Sequence, residues 1–75
     1  MKFGELMEVF SGWRIRVTAL LAEGGESTEE ISLIETVNAH MKLARYSEAA
    51  VVRFATGTME FEGQQFPALE VVVRV

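Results

Sequence analysis

Alternation of apolar residues with Arg14, Arg16 and Thr18 in WRIRVTALLA, residues 13–22, constrains the fold more than any other feature of this chain. Successive side chains of a β-strand point to opposite faces, so the pattern predicts a strand with one buried and one solvated face. The face predicted to be buried carries Trp13, Ile15, Val17, Ala19 and Leu21. A sheet packed on one side against a core is therefore expected.

A second strand is predicted in AAVVRFATGTMEFEG, although its period changes midway. The apolar residues have one parity at Val52 and Phe54 and the other parity at Met59 and Phe61. One extra residue at Thr56-Gly57 would restore a single apolar face, so we expect a β-bulge at that position.

The third strand is predicted at residues 66–75, after a hairpin turn at residues 62–65. Pro67 has no N–H for the ladder, which indicates an edge or the start of a strand. Val72 points to the face away from the core-facing valines. Both faces of this strand therefore carry apolar residues, which is unusual for a solvated edge strand. The N-terminal segment of the chain, a second copy of the chain or another protein could cover it at Val72, and the small core favours one of the last two.

Helical spacing of apolar residues occurs in two segments. KFGELMEVFSG predicts a short helix that ends at Gly12, and the alternative is a strand that turns at Ser11-Gly12 into the next one. A longer helix is predicted from Thr28 to about Tyr46. Its first turn has the spacing of a capping box, Ser27 followed by Glu30. The apolar stripe of this helix would be Ile31, Ile34, Val37, Met41 and Ala44.

The predicted elements follow the order (α)-β-α-β-β, which indicates a single α+β domain over residues 1–75. Its expected architecture is a small three-stranded, mostly antiparallel sheet with one long helix packed on one face. A chain of 75 residues holds only one small core, and this one has no cysteine for disulfides. We therefore expect self-association, to at least a dimer, as further support for the fold.

The chemical groups in the sequence do not match an enzyme. The chain has no Cys, no Asp and one histidine, His40, so a catalytic triad or a metal site lacks partner residues. The segment EGGES precedes the predicted long helix but lacks the spacing and the lysine of phosphate-binding loops. We expect no catalytic residue, no metal and no cofactor.

Charge and hydropathy limit the partners. The net charge of −4 does not favour binding to nucleic acid through bulk charge. No stretch approaches 18 consecutive apolar residues, and Glu5 and Glu8 interrupt any apolar region of a signal peptide. We expect a cytoplasmic protein with no direct contact to nucleic acid or membrane.

Two charged groups are candidates for protein binding. The acidic group lies in a segment without Lys or Arg and could dock onto a basic protein, or simply complement a helix dipole. It consists of Glu23, Glu26, Glu29 and Glu30. The basic group shares the face opposite the apolar residues and could bind phosphates or carboxylates, or form cross-strand pairs with Glu60, Glu62 and Glu70. It consists of Arg14, Arg16, Arg53 and Arg74.

These features predict a non-enzymatic, small acidic protein that self-associates through its sheet and acts by protein–protein binding. Such a protein would suit a phage or mobile-element inhibitor of a host nucleic-acid machine. The competing class is an oligomeric carrier of a flavin-like ligand with a pocket between subunits, because dodecins, small oligomeric flavin binders, share this element order. Trp13 opens the first strand, whereas that resemblance would place an aromatic platform on the middle strand.

Overall fold

The computed structural model describes residues 1–10, 12, 14–33 and 36–75, with the side chains of 36–38 and 61 excepted. The elements follow the order α-β-β-α-β-β. They are helix α1 (Phe3–Val9), strands β1 (Arg14–Leu20) and β2 (Glu26–Ser32), helix α2 (Thr36–Ala44), and strands β3 (Ala50–Phe61) and β4 (Gln64–Arg74). The strands form one four-stranded mixed sheet in the order β2-β1-β4-β3. The prediction of three strands and one long helix, and with it the element order shared with dodecins, is therefore wrong.

Strand β2 replaces the first part of the predicted long helix. Its residues pair antiparallel with β1, from Arg14 opposite Ser32 to Leu20 opposite Glu26. The connecting turn contains two glycines with φ of 91° and 93°, a conformation that glycine adopts without a steric penalty. Ser27 and Glu30 thus lie in a strand, where hydrogen bonds to β1 override the capping-box pattern. Ile34, assigned to the helical stripe, lies outside the described residues.

Strands β1 and β4 are the two central strands and run parallel. Where the two strands pair, their core-facing residues are buried, as Ile15 opposite Leu69, Val17 opposite Val71 and Ala19 opposite Val73. The other side of β4 pairs antiparallel with β3. The expectation that β4 is an edge strand is therefore wrong. Its apolar sequence is instead explained by its position in the middle of the sheet.

The irregularity in β3 lies between Val51 and Arg53, and not at Thr56-Gly57 as predicted. From Arg53 onward the pairing with β4 is regular. No extra residue therefore brings the apolar residues before and after Gly57 onto one face. Phe54 lies opposite Val71 on the core-facing side, whereas Met59 lies opposite Phe66 on the other side. The predicted single apolar face of β3 is therefore wrong.

Both helices lie on the face of the sheet that carries Val17 and Val71, which we call the helix-bearing face. Phe3 and Leu6 of α1 are buried in the same core cluster as these valines, together with Ala39 of α2. Helix α1 confirms a helix rather than a strand in this segment, but it ends at Val9 with Phe10 as its C-cap, so the predicted end at Gly12 is wrong. The predicted turn residue Ser11 lies outside the described part. Neither helix is long and apolar enough to cross a membrane.

Candidate interaction surface

Strand β3 is one edge of the sheet, and only its first residues are covered. Lys2 forms a β-bridge with Ala50, and the N–H of Val51 donates to the carbonyl of Met1 at 2.8 Å. Within the described ranges, no strand pairs with β3 on this side beyond Val51. We call the uncovered part, residues 52–60, the free β3 edge. Its outward N–H and C=O groups are available to another strand.

In residues 52–58 of the free β3 edge, every side chain except that of Arg53 is apolar or small, and most of them are exposed. Phe54 is 51% exposed and Val52 is 42% exposed. The residue opposite Phe54 on β4, Val71, is only 1% exposed, so Phe54 lies at the rim of the core, where the helices no longer cover the sheet. Arg53 is the only charged residue between Val52 and Met59. A long, weakly charged edge of this kind is a template for pairing with another chain.

The opposite edge of the sheet is strand β2, and it carries most of the acidic group. Glu26, Glu29 and Glu30 lie on β2, while Glu23 lies in the turn before it. The predicted location of these residues at a helix start is therefore wrong, and they cannot complement a helix dipole there. Charged residues on an edge strand oppose strand pairing, so this edge is protected where the free β3 edge is not.

Two of the four glutamates have partners within the chain. Glu29 accepts hydrogen bonds from the Tyr46 hydroxyl at 2.7 Å and from Nη2 of Arg45 at 2.9 Å. Glu30 accepts from Nη2 of Arg16 at 3.0 Å. Burial and, next, the hydrogen bond to the Glu29 carboxylate raise the pKa of Tyr46.

The four arginines of the basic group share the helix-free face of the sheet, as the alternation predicted. Arg16 is held between two carboxylates, because it contacts Glu30 on one side and Glu70, at 2.7 Å, on the other. The guanidinium of Arg14 lies 5.5 Å from the centre of the Phe66 ring.

Glu70 is thus the one predicted cross-strand partner that forms an ion pair in the part of the chain that the structure describes. Arg53 and Arg74 form none there, nor do Glu60 and Glu62. The arginines therefore share a face without forming one cluster of free guanidinium groups.

An open groove of about 370 Å³ separates α1 from α2. Met7 and Leu43 contribute apolar surface to it, and the exposed His40 lies at its side. Among the described residues, no group of three His, Cys, Asp or Glu side chains could hold a metal ion. The groove therefore offers apolar contact rather than coordination chemistry.

Comparison with known proteins identifies no relative: no family model, no curated protein and no solved structure matches this chain. Function is therefore argued from its surfaces. Val52 and Phe54 are exposed, although the apolar parity of β3 predicted both in the core. The signal that could have identified them is the run VVRFATGT, which has strong β-propensity and one charge.

Proposed function

We propose that the protein is a non-enzymatic binding protein that self-associates through its sheet and acts by protein–protein contact. The observation that carries this proposal is the free β3 edge, where Phe54 and Val52 are exposed beside unpaired backbone groups. A second strand paired with this edge would add interstrand hydrogen bonds and bury its apolar side chains. The small size of the core adds to the benefit of association.

The acidic edge supports a second part of this proposal, which is a basic protein as the further partner. Glu23 and Glu26 are exposed and form no ion pair among the described residues, so their charge projects into solvent. Complementary charge accelerates association with a cationic surface. A nucleic-acid-binding protein has such a surface, which fits the inhibitor role that the sequence suggested.

Sedimentation velocity over about 1–100 μM tests self-association, with Phe54→Lys as the disruptive variant. A lysine at this position would have to be desolvated in an apolar contact, so we expect wild type to form at least a dimer and the variant to be monomeric. Val9→Lys is the matched control, because Val9 is an exposed apolar residue, 78% accessible, at the end of α1 and not on strand β3. A wild-type monomer at 100 μM would contradict the proposal.

The second candidate is a carrier of a small ligand, and the groove between α1 and α2 favours it. The groove is open and lined by the apolar side chains of Met7 and Leu43, which suits a ligand with an exposed polar end. The test is an absorbance and mass spectrum of the supernatant after the purified protein is denatured. A stoichiometric small molecule would favour the carrier over the binding protein.

A further inference from the structure

We propose that the free β3 edge binds a second copy of this chain, with the two β3 strands antiparallel about a twofold axis at Thr56. This inference rests on the proposed self-association and specifies its geometry. The product is a continuous eight-stranded sheet in which the two β3 strands meet at the centre. The two β2 strands form its outer edges.

Charge selects this pairing over the other two ways of joining edges. Two β2 strands would bring Glu26 and Glu30 of both copies together on one face, and facing like charges destabilise a sheet. Joining β2 to β3 leaves a free edge at each end, so that the assembly would grow without closing. A pair of β3 strands closes the dimer, and its outer edges carry the glutamates that oppose further strand addition.

The antiparallel direction also separates the charges of the free β3 edge. With the axis at Thr56, Arg53 lies opposite the partner's Met59, and the two copies of Arg53 are six residues apart, about 20 Å along the strand. A parallel pair in register would place the two copies of Arg53 side by side.

Backbone geometry identifies the residues that would make the new hydrogen bonds. The N–H of Val51 points away from β4, because it donates to Met1. Val51 and Phe54 lie opposite Val73 and Val71, which are two positions apart on β4, so both belong to the pairs whose backbone groups point outward. By the same alternation, Thr56 and Thr58 also point their backbone groups outward.

The side chains favour Thr56 as the centre. With the axis there, Phe54 lies opposite the partner's Thr58, and Thr56 lies opposite the partner's Thr56. Aromatic with β-branched and threonine with threonine are favourable cross-strand pairs. With the axis at Gly57, Phe54 would instead face the carboxylate of the partner's Glu60. The exposed ring of Phe54 would extend the core on the helix-bearing face across the interface.

Single cysteines test the register, because the wild-type chain contains none. In Thr56→Cys, the two cysteines would face each other across the axis with Cα atoms about 5.5 Å apart, a separation that a disulfide spans. In the matched control Thr58→Cys, equally exposed on the same strand, the cysteines would be four residues apart, about 13 Å. Under mild oxidation we expect Thr56→Cys to form the covalent dimer at least tenfold faster.

The outcomes separate this inference from the proposed self-association. A dimer in sedimentation whose two cysteine variants oxidise at equal rates, or in which Thr58→Cys is faster, would overturn the pairing about Thr56 while self-association stands. A monomer at every concentration would overturn both. A circular dichroism spectrum like that of wild type establishes that each variant is folded.

Discussion

The hydroxyl of Tyr46 donates a 2.7 Å hydrogen bond to Oε2 of Glu29, which joins the segment after α2 to the edge strand β2. The Tyr46 ring also contacts Phe3 edge-on, with centroids 5.9 Å apart, so the same residue packs against α1. Tyr46 therefore connects three elements that have few backbone hydrogen bonds to one another. With Arg45, this contact gives both carboxylate oxygens of Glu29 a partner within the chain.

The titration of Tyr46 should therefore be displaced to high pH. Burial, and after it the hydrogen bond to Glu29, raise the pKa of the phenol above its ordinary 10.0. Because the folded-state pKa is the higher one, this stabilisation is complete below pH 10 and is lost as pH rises through the folded-state pKa. Tyr46 is the only tyrosine, so ultraviolet absorbance of phenolate reports its midpoint alone.

Glu29→Gln is the control for that titration. Removing the carboxylate charge should lower the pKa of Tyr46 toward 10, while burial keeps it from returning fully. A wild-type midpoint at or below 10, or one that does not change in Glu29→Gln, would show that the hydrogen bond is not formed in solution.

Charge reversal should divide the acidic group into two kinds of residue. Glu29→Lys removes the acceptor of Tyr46 and brings a cation next to Arg45, so we expect a loss of about 1–3 kcal/mol in the free energy of unfolding. Glu26→Lys alters an exposed residue without such contacts and should change it by less than about 0.5 kcal/mol. Urea unfolding measures both. Equal effects of the two substitutions would contradict this division.

Gly57→Ala tests where the irregularity in β3 lies. A Cβ at Gly57 would be 3.4 Å from Cδ of Glu70, an ordinary contact, and the pairing there is regular. An alanine that fits its backbone stabilises by about 0.4–1 kcal/mol, chiefly by restricting the unfolded chain. We therefore expect a higher urea midpoint. A substantial loss of stability would instead support the bulge at Thr56-Gly57 that the sequence suggested.

Val72→Lys tests the interface that the sequence suggested on the helix-free face. Val72 is half-buried there, between Thr18 on β1 and Arg53 on β3. A dimer joined along the β3 edge leaves this face in water, so we expect the variant to keep the wild-type association constant. Loss of the dimer in sedimentation, with the helix content unchanged, would place the interface on the helix-free face instead.

The sequence pattern correctly predicted those features that depend on one segment or on neighbouring strands of a hairpin. The alternation in β1 correctly predicted Ile15, Val17 and Ala19 as buried, and the hairpin between β3 and β4 turns at Glu62 and Gly63 within the predicted range. These features depend on the period of one segment or on a short turn. They require no knowledge of the rest of the fold.

Strand β2 and the order of the strands in the sheet could not be predicted from local sequence pattern. The segment from Ser27 to Glu30 fits a helix start as well as a strand, and only the hydrogen bonds to β1 decide between them. Nothing in the sequence indicates that β4 inserts between β1 and β3. For the same reason Phe54, which leaves the core because β3 is an edge, could not be recognised as a surface residue.

The parallel pairing of β1 with β4 determines how this sheet must assemble. Each hairpin, β1 with β2 and β3 with β4, joins neighbours along the chain and closes a short loop, whereas Arg16 and Glu70 are separated by 54 positions. The entropy of closing that long loop is lost before its contacts are gained, which slows folding. We therefore expect the two hairpins to form early and independently, and their docking through the valines of β4 to limit the rate of folding.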